Sequence, residues 1–310
     1  MKEKLKIIFV GIPDMAFVCL ANLLEHDFNI VGVVPPKKSH ETYEIFKKFV
    51  LDKKLNLIEY ENTANDIDCI EKIRELNADI GVVCSFNNLL SSDFLKTTKM
   101  GYINCHPSLL PDYRGAAPYF HIVRNDEKIS GVTLHFMDET FDTGDIIYQN
   151  KFELTPFETM GSIFNRTTYM LSDALVEVLN EIQKNGSIKR IPQEKIDSFI
   201  QAPKVDGNFR IRWNTNSAKE IECLIRACNP FYNAFTFFRG VNTKIIKAYS
   251  IEKEHNLPFG QIVHSAKDSV IISAKKGFVV PQIIQVGTWG IFGIEEFYCT
   301  FSPKVGEVLS

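Results

Sequence analysis

The segment Gly101-Tyr102-Ile103-Asn104-Cys105-His106-Pro107-Ser108-Leu109-Leu110-Pro111 ends a strand-like run with an amide and an imidazole two positions apart. Alternate residues of a strand share a face, so Asn104 and His106 present their side chains together. An amide N–H can hydrogen-bond an oxyanion while an imidazole moves a proton near neutral pH. The same residues also suit a structural asparagine and a satisfied histidine in a loop held by Pro107 and Pro111. Farther along, Asp142-Thr143-Gly144 reads on its own as a turn aspartate before a glycine. It is also the triplet of aspartic proteases, but those need two facing aspartates and the chain has no second copy. Asp145 reads either as a substrate contact or as a turn residue. His121 and His135 fall on a helix and a strand without a partner at ligand spacing, and read as packed or surface histidines. Cys223 and Cys228 lack the spacing of a zinc knuckle, so no metal site is expected.

The elements that position these groups follow from periodicity. Lys6 to Val10 is a short apolar run ended by Gly11-Ile12-Pro13, after which Asp14 caps a helical pattern to about Glu25. Strand and helix alternate again through Ile30 to Val34, Glu41 to Asp52, Leu57 to Tyr60, Asp66 to Leu76 and Asp79 to Cys84. Buried-type strands alternating with helices predict an α/β, doubly wound, Rossmann-like parallel sheet. Ligands of such sheets bind beyond the carboxyl ends of the strands, here the turns after Val10, Cys84 and Cys105. The first turn has only Gly11, which argues against a dinucleotide cofactor. A long helix from Glu158 to Lys184 closes a first domain, residues 1–186. A linker, 187–208, leads to a second domain, 209–310. That domain opens with a helix from Ser217 to Ala227 and continues with strands Ala234 to Phe238, Thr243 to Tyr249, Gly260 to Val263, Ser269 to Ser273 and Gly277 to Val286. These predict a smaller β-barrel of OB-like type. The aromatic stretch Phe231, Tyr232, Phe235, Phe237 and Phe238 reads as barrel core rather than a base-stacking surface.

Composition narrows the class. The chain has 310 residues, 45% of them hydrophobic, and a formal net charge of -3, so no global positive field advertises nucleic acid or membrane. The charged start runs straight into a short strand, and no run approaches the roughly 20 apolar residues that span a bilayer, so a cytoplasmic enzyme is expected. Seven cysteines scattered through apolar segments suit free buried thiols.

The Asn104-x-His106 block with Ser108-Leu109-Leu110-Pro111 and Arg114-Gly115-Ala116-Ala117-Pro118, joined to Gly131-Val132-Thr133 and Asp142-Thr143-Gly144, closely resembles the folate-dependent formyltransferase family. The resemblance extends to Ile211-x-Trp213, Ile225 to Pro230 and Lys244 to Ala248, which are similar to the C-terminal domain of methionyl-tRNA formyltransferases and related sugar enzymes. It implies that Asn104, His106 and Asp142 form a catalytic trio acting on 10-formyltetrahydrofolate as formyl donor. It also implies that Phe86, Asn87, Asn88, Ser108, Leu109, Leu110 and Pro111 flank the pterin, and that the loop of Asp138, Glu139, Thr140, Phe141 and Asp142 helps enclose it. In that reading a neutral amine attacks the formyl carbon, Asn104 and protonated His106 stabilise the resulting oxyanion, and Asp142 orients and tunes His106.

The acceptor is less constrained. Methionyl-tRNA formyltransferases carry a basic Gly-Arg insertion after the second strand; here Val34-Pro35-Pro36-Lys37-Lys38-Ser39-His40-Glu41 lacks it. Gly11 to Ala16 and Cys84 to Asn88 also depart from the tRNA enzymes. These departures point to a small molecule, a nucleotide-linked amino sugar, ahead of tRNA. Against them stand the C-terminal match and Lys189, Arg190, Lys195, Lys204, Arg210 and Arg212, which read as a phosphate-contacting stripe or as a solvated face. A shorter-chain glycinamide ribonucleotide transformylase and a non-catalytic folate or nucleotide-sugar binding module are the remaining readings; an intact trio argues against the module. The oligomeric state is left open, a homodimer included.

Overall fold

The computed structural model describes residues 3–13, 15–86, 88–194, 199–200, 203 and 209–310. Asp14, the expected cap of the first helix, lies outside them, as do Asn87, Lys195 and Lys204. The chain divides into two compact units. The first comprises Met1–Pro118, Ile129–Glu153 and Phe164–Gln201, and the second Tyr119–Lys128, Leu154–Ile163 and Ala202–Ser310.

The first unit alternates β1 (Lys6–Gly11), α1 (Met15–Glu25), β2 (Asn29–Val34), α2 (Tyr43–Asp52), α3 (Ile67–Glu75), β3 (Ile80–Cys84), α4 (Ser92–Leu95) and β4 (Tyr102–His106). After α5 (Pro118–Arg124), which beyond Pro118 clusters with the second unit, come β5 (Ile129–Phe136), β6 (Ile146–Glu153) and α6 (Met160–Asn185), which rejoins the first unit from Phe164. The strand order is β2-β1-β3-β4-β5-β6. Successive side chains of β1 face opposite ways and build two cores. Ile7 and Phe9 join Leu20, Phe46 and Leu175 on one face. Ile8 and Val10 join Ile70, Ile73, Phe94 and Tyr102 on the other.

This is the expected Rossmann-like α/β sheet with one refinement: β1 to β4 pair in parallel, whereas β5 runs antiparallel to β4 and to β6. Leu57 to Tyr60 is not a strand. Leu57 makes one parallel bridge to Val33, and the chain then leaves the sheet because Ile58 N is the last of its amides to bond β2.

In the second unit, α7 (Ala218–Cys228) precedes β7 (Phe235–Phe238), β8 (Val241–Ile251), β9 (Ile262–Ser265), β10 (Val270–Ser273), β11 (Phe278–Val286), β12 (Gly290–Gly293) and α8 (Ile294–Phe301). The strands form a curled antiparallel sheet in the order β7-β8-β11-β10-β9, with β12 on β11. Buried Arg226 of α7 explains why residues 119–128 and 154–163 cluster here: its guanidinium donates to Glu158 O at 2.9 Å and to Asp126 Oδ1 at 3.0 Å. Ser217 caps α7 reciprocally: its Oγ accepts from Glu220 N at 3.2 Å while Glu220 Oε2 accepts from Ser217 N at 2.7 Å. Ser217→Ala is expected to cost about 1 kcal/mol in chemical denaturation, with turnover unchanged.

Among the described residues no helix is long and apolar enough to cross a membrane. Six cysteines are buried and Cys299 is exposed, all as free thiols.

Candidate active site

Asn104 and His106 stand on β4, on the face that also carries Tyr102, at the carboxyl end of the strand. The antiparallel pairing with β5 sets His135 opposite Asn104 and Thr133 opposite His106. Thr133 then fixes the following loop. Its Oγ1 donates to Ser108 O at 2.7 Å and accepts from Leu110 N at 3.1 Å.

Asp142 arrives from the loop between β5 and β6. Its backbone is left-handed, at φ 57°, a conformation that aspartate tolerates better than most residues. Oδ2 accepts from Gly115 N at 2.8 Å and lies 3.5 Å from His106 Nδ1. Oδ1 accepts from Asn104 Nδ2 at 3.0 Å and lies 3.4 Å from His135 Nε2. Asn104 Nδ2 also reaches His135 Nε2, at 3.1 Å. With a carboxylate oxygen and an imidazole nitrogen as partners, this end of the amide must be the donor, and both of its N–H bonds are engaged.

The backbone sets the tautomers. His106 Nε2 donates to Tyr113 O at 2.9 Å, which leaves Nδ1 to receive a proton on the side of Asp142. His135 Nδ1 donates to Phe136 O at 2.9 Å, so Nε2 accepts from Asn104 when the ring is neutral and donates to Asp142 only when it is protonated. Burial pulls the His106 pKa below its ordinary value of 6.5, opposed by the charge of Asp142 and the Tyr113 carbonyl and assisted by His135. A pKa below that ordinary value favours the neutral ring near pH 7, so the protonated His106 that the sequence reading sets against the oxyanion would arise as the ring takes up a proton. Burial works against the Asp142 charge, but His106, His135 and the Gly115 amide outweigh it and hold the carboxyl well below its usual range. The result is a fixed carboxylate beside a neutral imidazole that can accept a proton.

The structure brings Asn104, His106 and Asp142 together and adds His135, which is 1% exposed. Sequence reasoning placed His135 among packed histidines because its approach to Asn104 depends on the antiparallel turn of β5. The periodic match of Thr133 and His135 to the spacing of Asn104 and His106 was the available signal. Of the residues expected to flank a pterin, Phe86 is partly buried and Asn88 exposed, while Phe141 is 45% exposed. Ser108 is fully enclosed, its Oγ donating to Asp112 O at 2.8 Å, and Leu110 is buried. Leu109 and Pro111 are partly exposed. Asp138 knits its loop, accepting from Thr140 N at 3.0 Å and Thr143 Oγ1 at 2.7 Å, while Glu139 and Thr140 face solvent.

Residues 7–179 match the family described as formyl transferase, and residues 205–302 match the formyl transferase C-terminal domain. The chain belongs to the formyl transferase family. Two methionyl-tRNA formyltransferases are similar over nearly their whole length. That of Clostridioides difficile (strain 630) is 31% identical over 289 residues, covering 91% of this chain and 92% of the relative. That of Alkaliphilus oremlandii (strain OhILAs) is 31% identical over 310 residues, covering 98% and 99%. Among solved structures, the sugar 3N-formyl transferase WlaRD matches with a TM-score of 0.68 at 23% identity, covering 92% of this chain and 98% of that one. At that identity the likeness speaks for the fold alone.

Proposed function

We propose that this formyl transferase moves a formyl group from 10-formyltetrahydrofolate to the amino group of methionyl-tRNA, with Asn104, His106 and Asp142 as its catalytic residues. The observation that carries the acceptor is the collinear match to methionyl-tRNA formyltransferases through both units, up to 98% of this chain and 99% of the relative. The sequence alone weighted the acceptor toward an amino sugar, and the full-length relatives shift that weight.

The donor supplies an activated formyl carbon that a neutral amine can attack. Phe86, Asn88, Leu109, Pro111 and residues 138–141 would hold it. The fit rests on Phe141, an aromatic side chain 45% exposed next to Asp142 in the chain, whose ring packs 5.4 Å from that of Phe199. WlaRD, the structural match, was crystallised in the presence of dTDP and 5-N-formyl-THF, a formylated tetrahydrofolate.

His106 accepts the amine proton at Nδ1 and becomes an imidazolium facing Asp142 Oδ2, which limits the cost of that charge in a buried site. The same proton is then available to the departing folate nitrogen. Asn104 faces the developing oxyanion. Its N–H that points at His135 Nε2 is the one to be redirected, because an anionic oxygen is the stronger acceptor.

One observation favours a second acceptor, a nucleotide-linked amino sugar. The connection from β2 to α2, Pro35 to Thr42, carries only Lys37 and Lys38 as cations, and Lys38 is paired with Glu61 at 2.7 Å. Of the proposed basic stripe, Arg190 lies 3.5 Å over the Phe136 ring and Arg210 lies 5.6 Å over Phe237. An assay with 10-formyltetrahydrofolate and a panel of charged initiator methionyl-tRNA and UDP-, dTDP- and GDP-linked amino sugars decides. The expected product is formyl-methionyl-tRNA, absent with His106→Ala. Formylation of a sugar nucleotide alone would replace the acceptor and leave the chemistry standing.

A further inference from the structure

The chain between α6 and the second unit belongs to the first unit as far as Gln201. Its described residues run back across the loops that make the site. Ile191 pairs with Ile146, and Ile200 N donates to Arg114 O at 2.8 Å while Ala116 N donates to Ile200 O at 3.3 Å. Between these anchors stands Gln193, whose side-chain amide is bonded at both ends. Its Nε2 donates to Asp142 O at 2.9 Å and to Gly144 O at 2.7 Å. Its Oε1 accepts from Arg114 Nε at 3.1 Å and from Arg114 Nη2 at 2.7 Å. Arg114 is itself 4% exposed and also donates to Glu194 O at 3.0 Å.

The two loops joined in this way both carry backbone in sparsely populated regions. Tyr113, Ala117 and Asp142 have φ of 59°, 56° and 57°. Such conformations persist only where the surroundings over-determine them. Gly115 N is a donor to Asp142 Oδ2, and Tyr113 O holds the His106 ring, so the two loops meet at the reacting groups. The Asp142 carboxylate is thus aimed by its own side-chain bonds and, through its carbonyl, by Gln193.

We infer that Gln193 is a positioning residue for formyl transfer: it ties the Asp142–Gly144 turn to the Arg114 loop and so holds the Asp142 carboxylate at His106. The inference rests on the proposed role of Asp142. Gln193 touches neither the His106 ring nor the Asp142 carboxylate, so its removal acts through their placement and is felt first in turnover.

The experiment uses the full chain with 10-formyltetrahydrofolate and whichever acceptor the panel above identifies, comparing wild type, Asp142→Ala, Gln193→Glu and Gln193→Ala. Glutamate at 193 keeps an acceptor for Arg114 but cannot donate to the Asp142 and Gly144 carbonyls. Gln193→Glu is expected to melt within a few degrees of wild type, with kcat reduced about 30-fold and KM for the donor changed less than about threefold. The acid limb of its pH profile moves to lower pH, because a displaced Asp142 no longer supports the charge on His106. Gln193→Ala shows the same loss in kcat with a lower melting temperature, since Arg114 also loses its partner. Wild-type kcat and pH profile in Gln193→Glu, beside an inactive Asp142→Ala, would overturn the inference alone. So would a loss that vanishes once rates are normalised to folded protein. An active Asp142→Ala would remove the catalytic reading, and the role of Gln193 with it.

Discussion

Asp142→Ala is expected to lower kcat by about three to four orders of magnitude while the protein stays folded. The carboxylate is the hub of the site, with Asn104, His106, His135 and the Gly115 amide around its two oxygens. Without it, His106 becomes an imidazolium in a buried setting with no counter-charge, and the Asn104 amide loses the partner that aims it. Asn104→Ala and His106→Ala are expected to lose comparable activity, and near-normal turnover in any two of the three would sink the assignment. The milder Asp142→Asn keeps the shape and isolates the charge. His106 must be neutral to accept a proton, so the rate rises with pH through a pKa that burial already holds below 6.5. Removing the carboxylate withdraws a support for the charged ring, and the acid limb of the rate profile moves to lower pH. Stability shifts in a consistent direction. A histidine whose folded pKa is lowered costs stability as pH falls below 6.5. The depressed Asp142 pKa contributes stability that is fully present above 3.8 and lost as pH falls through the folded value.

Gly144→Ala is expected to damage the site by a different route and to a smaller degree. A Cβ built on Gly144 would overlap the Phe136 carbonyl oxygen, which is backbone and cannot swing aside. The turn must move, and it carries Asp142 two residues back and the Gly144 carbonyl that Gln193 holds. The expected cost is about 3 kcal/mol in denaturant unfolding, with turnover of the folded fraction down about 100-fold. Gly293→Ala is the matched control. Its Cβ would meet nothing nearer than Glu296 Oε2 at 3.7 Å, so stability and rate should both stay close to wild type.

The parts of this molecule that could be read from residues alone are those fixed by short-range pattern. The alternation of β1 to β3 with their helices shows in runs such as Ile7 to Val10 because both faces of those strands are buried. Asn104 and His106 were visible because one strand supplies both. His135 and Gln193 were not, because strand direction brings the first to Asn104 and a return of the linker brings the second to Asp142. The two-residue spacing of Thr133 and His135 is the one periodic hint of the first pairing, and nothing periodic marks the second. Leu57 to Tyr60 carried strand-like residues yet made one bridge, since side-chain type does not decide whether backbone partners exist. In the second unit β12 and α8 escaped notice. Gly290–Gly293 is short and glycine-flanked, and the aromatic run Ile294–Phe301 has the composition of a strand, although Glu296 Oε2 accepts from Gly293 N at 3.0 Å and starts it as a helix.

The order in which the chain is made gives the linker contact a temporal meaning. Asn104, His106, His135 and Asp142 are joined across 31 and 38 residues, whereas the bond from Gln193 to Asp142 spans 51. A nascent chain emerging from the ribosome therefore exposes every side chain of the proposed catalytic set before the segment that steadies them has been translated. Until Gln193 is translated, the Asp142 and Gly144 carbonyls lack that donor. Catalytic competence would then be gained as a discrete event near the end of synthesis of the first unit, and a chain stalled before residue 193 would hold the full set of reacting groups in an unsteady frame.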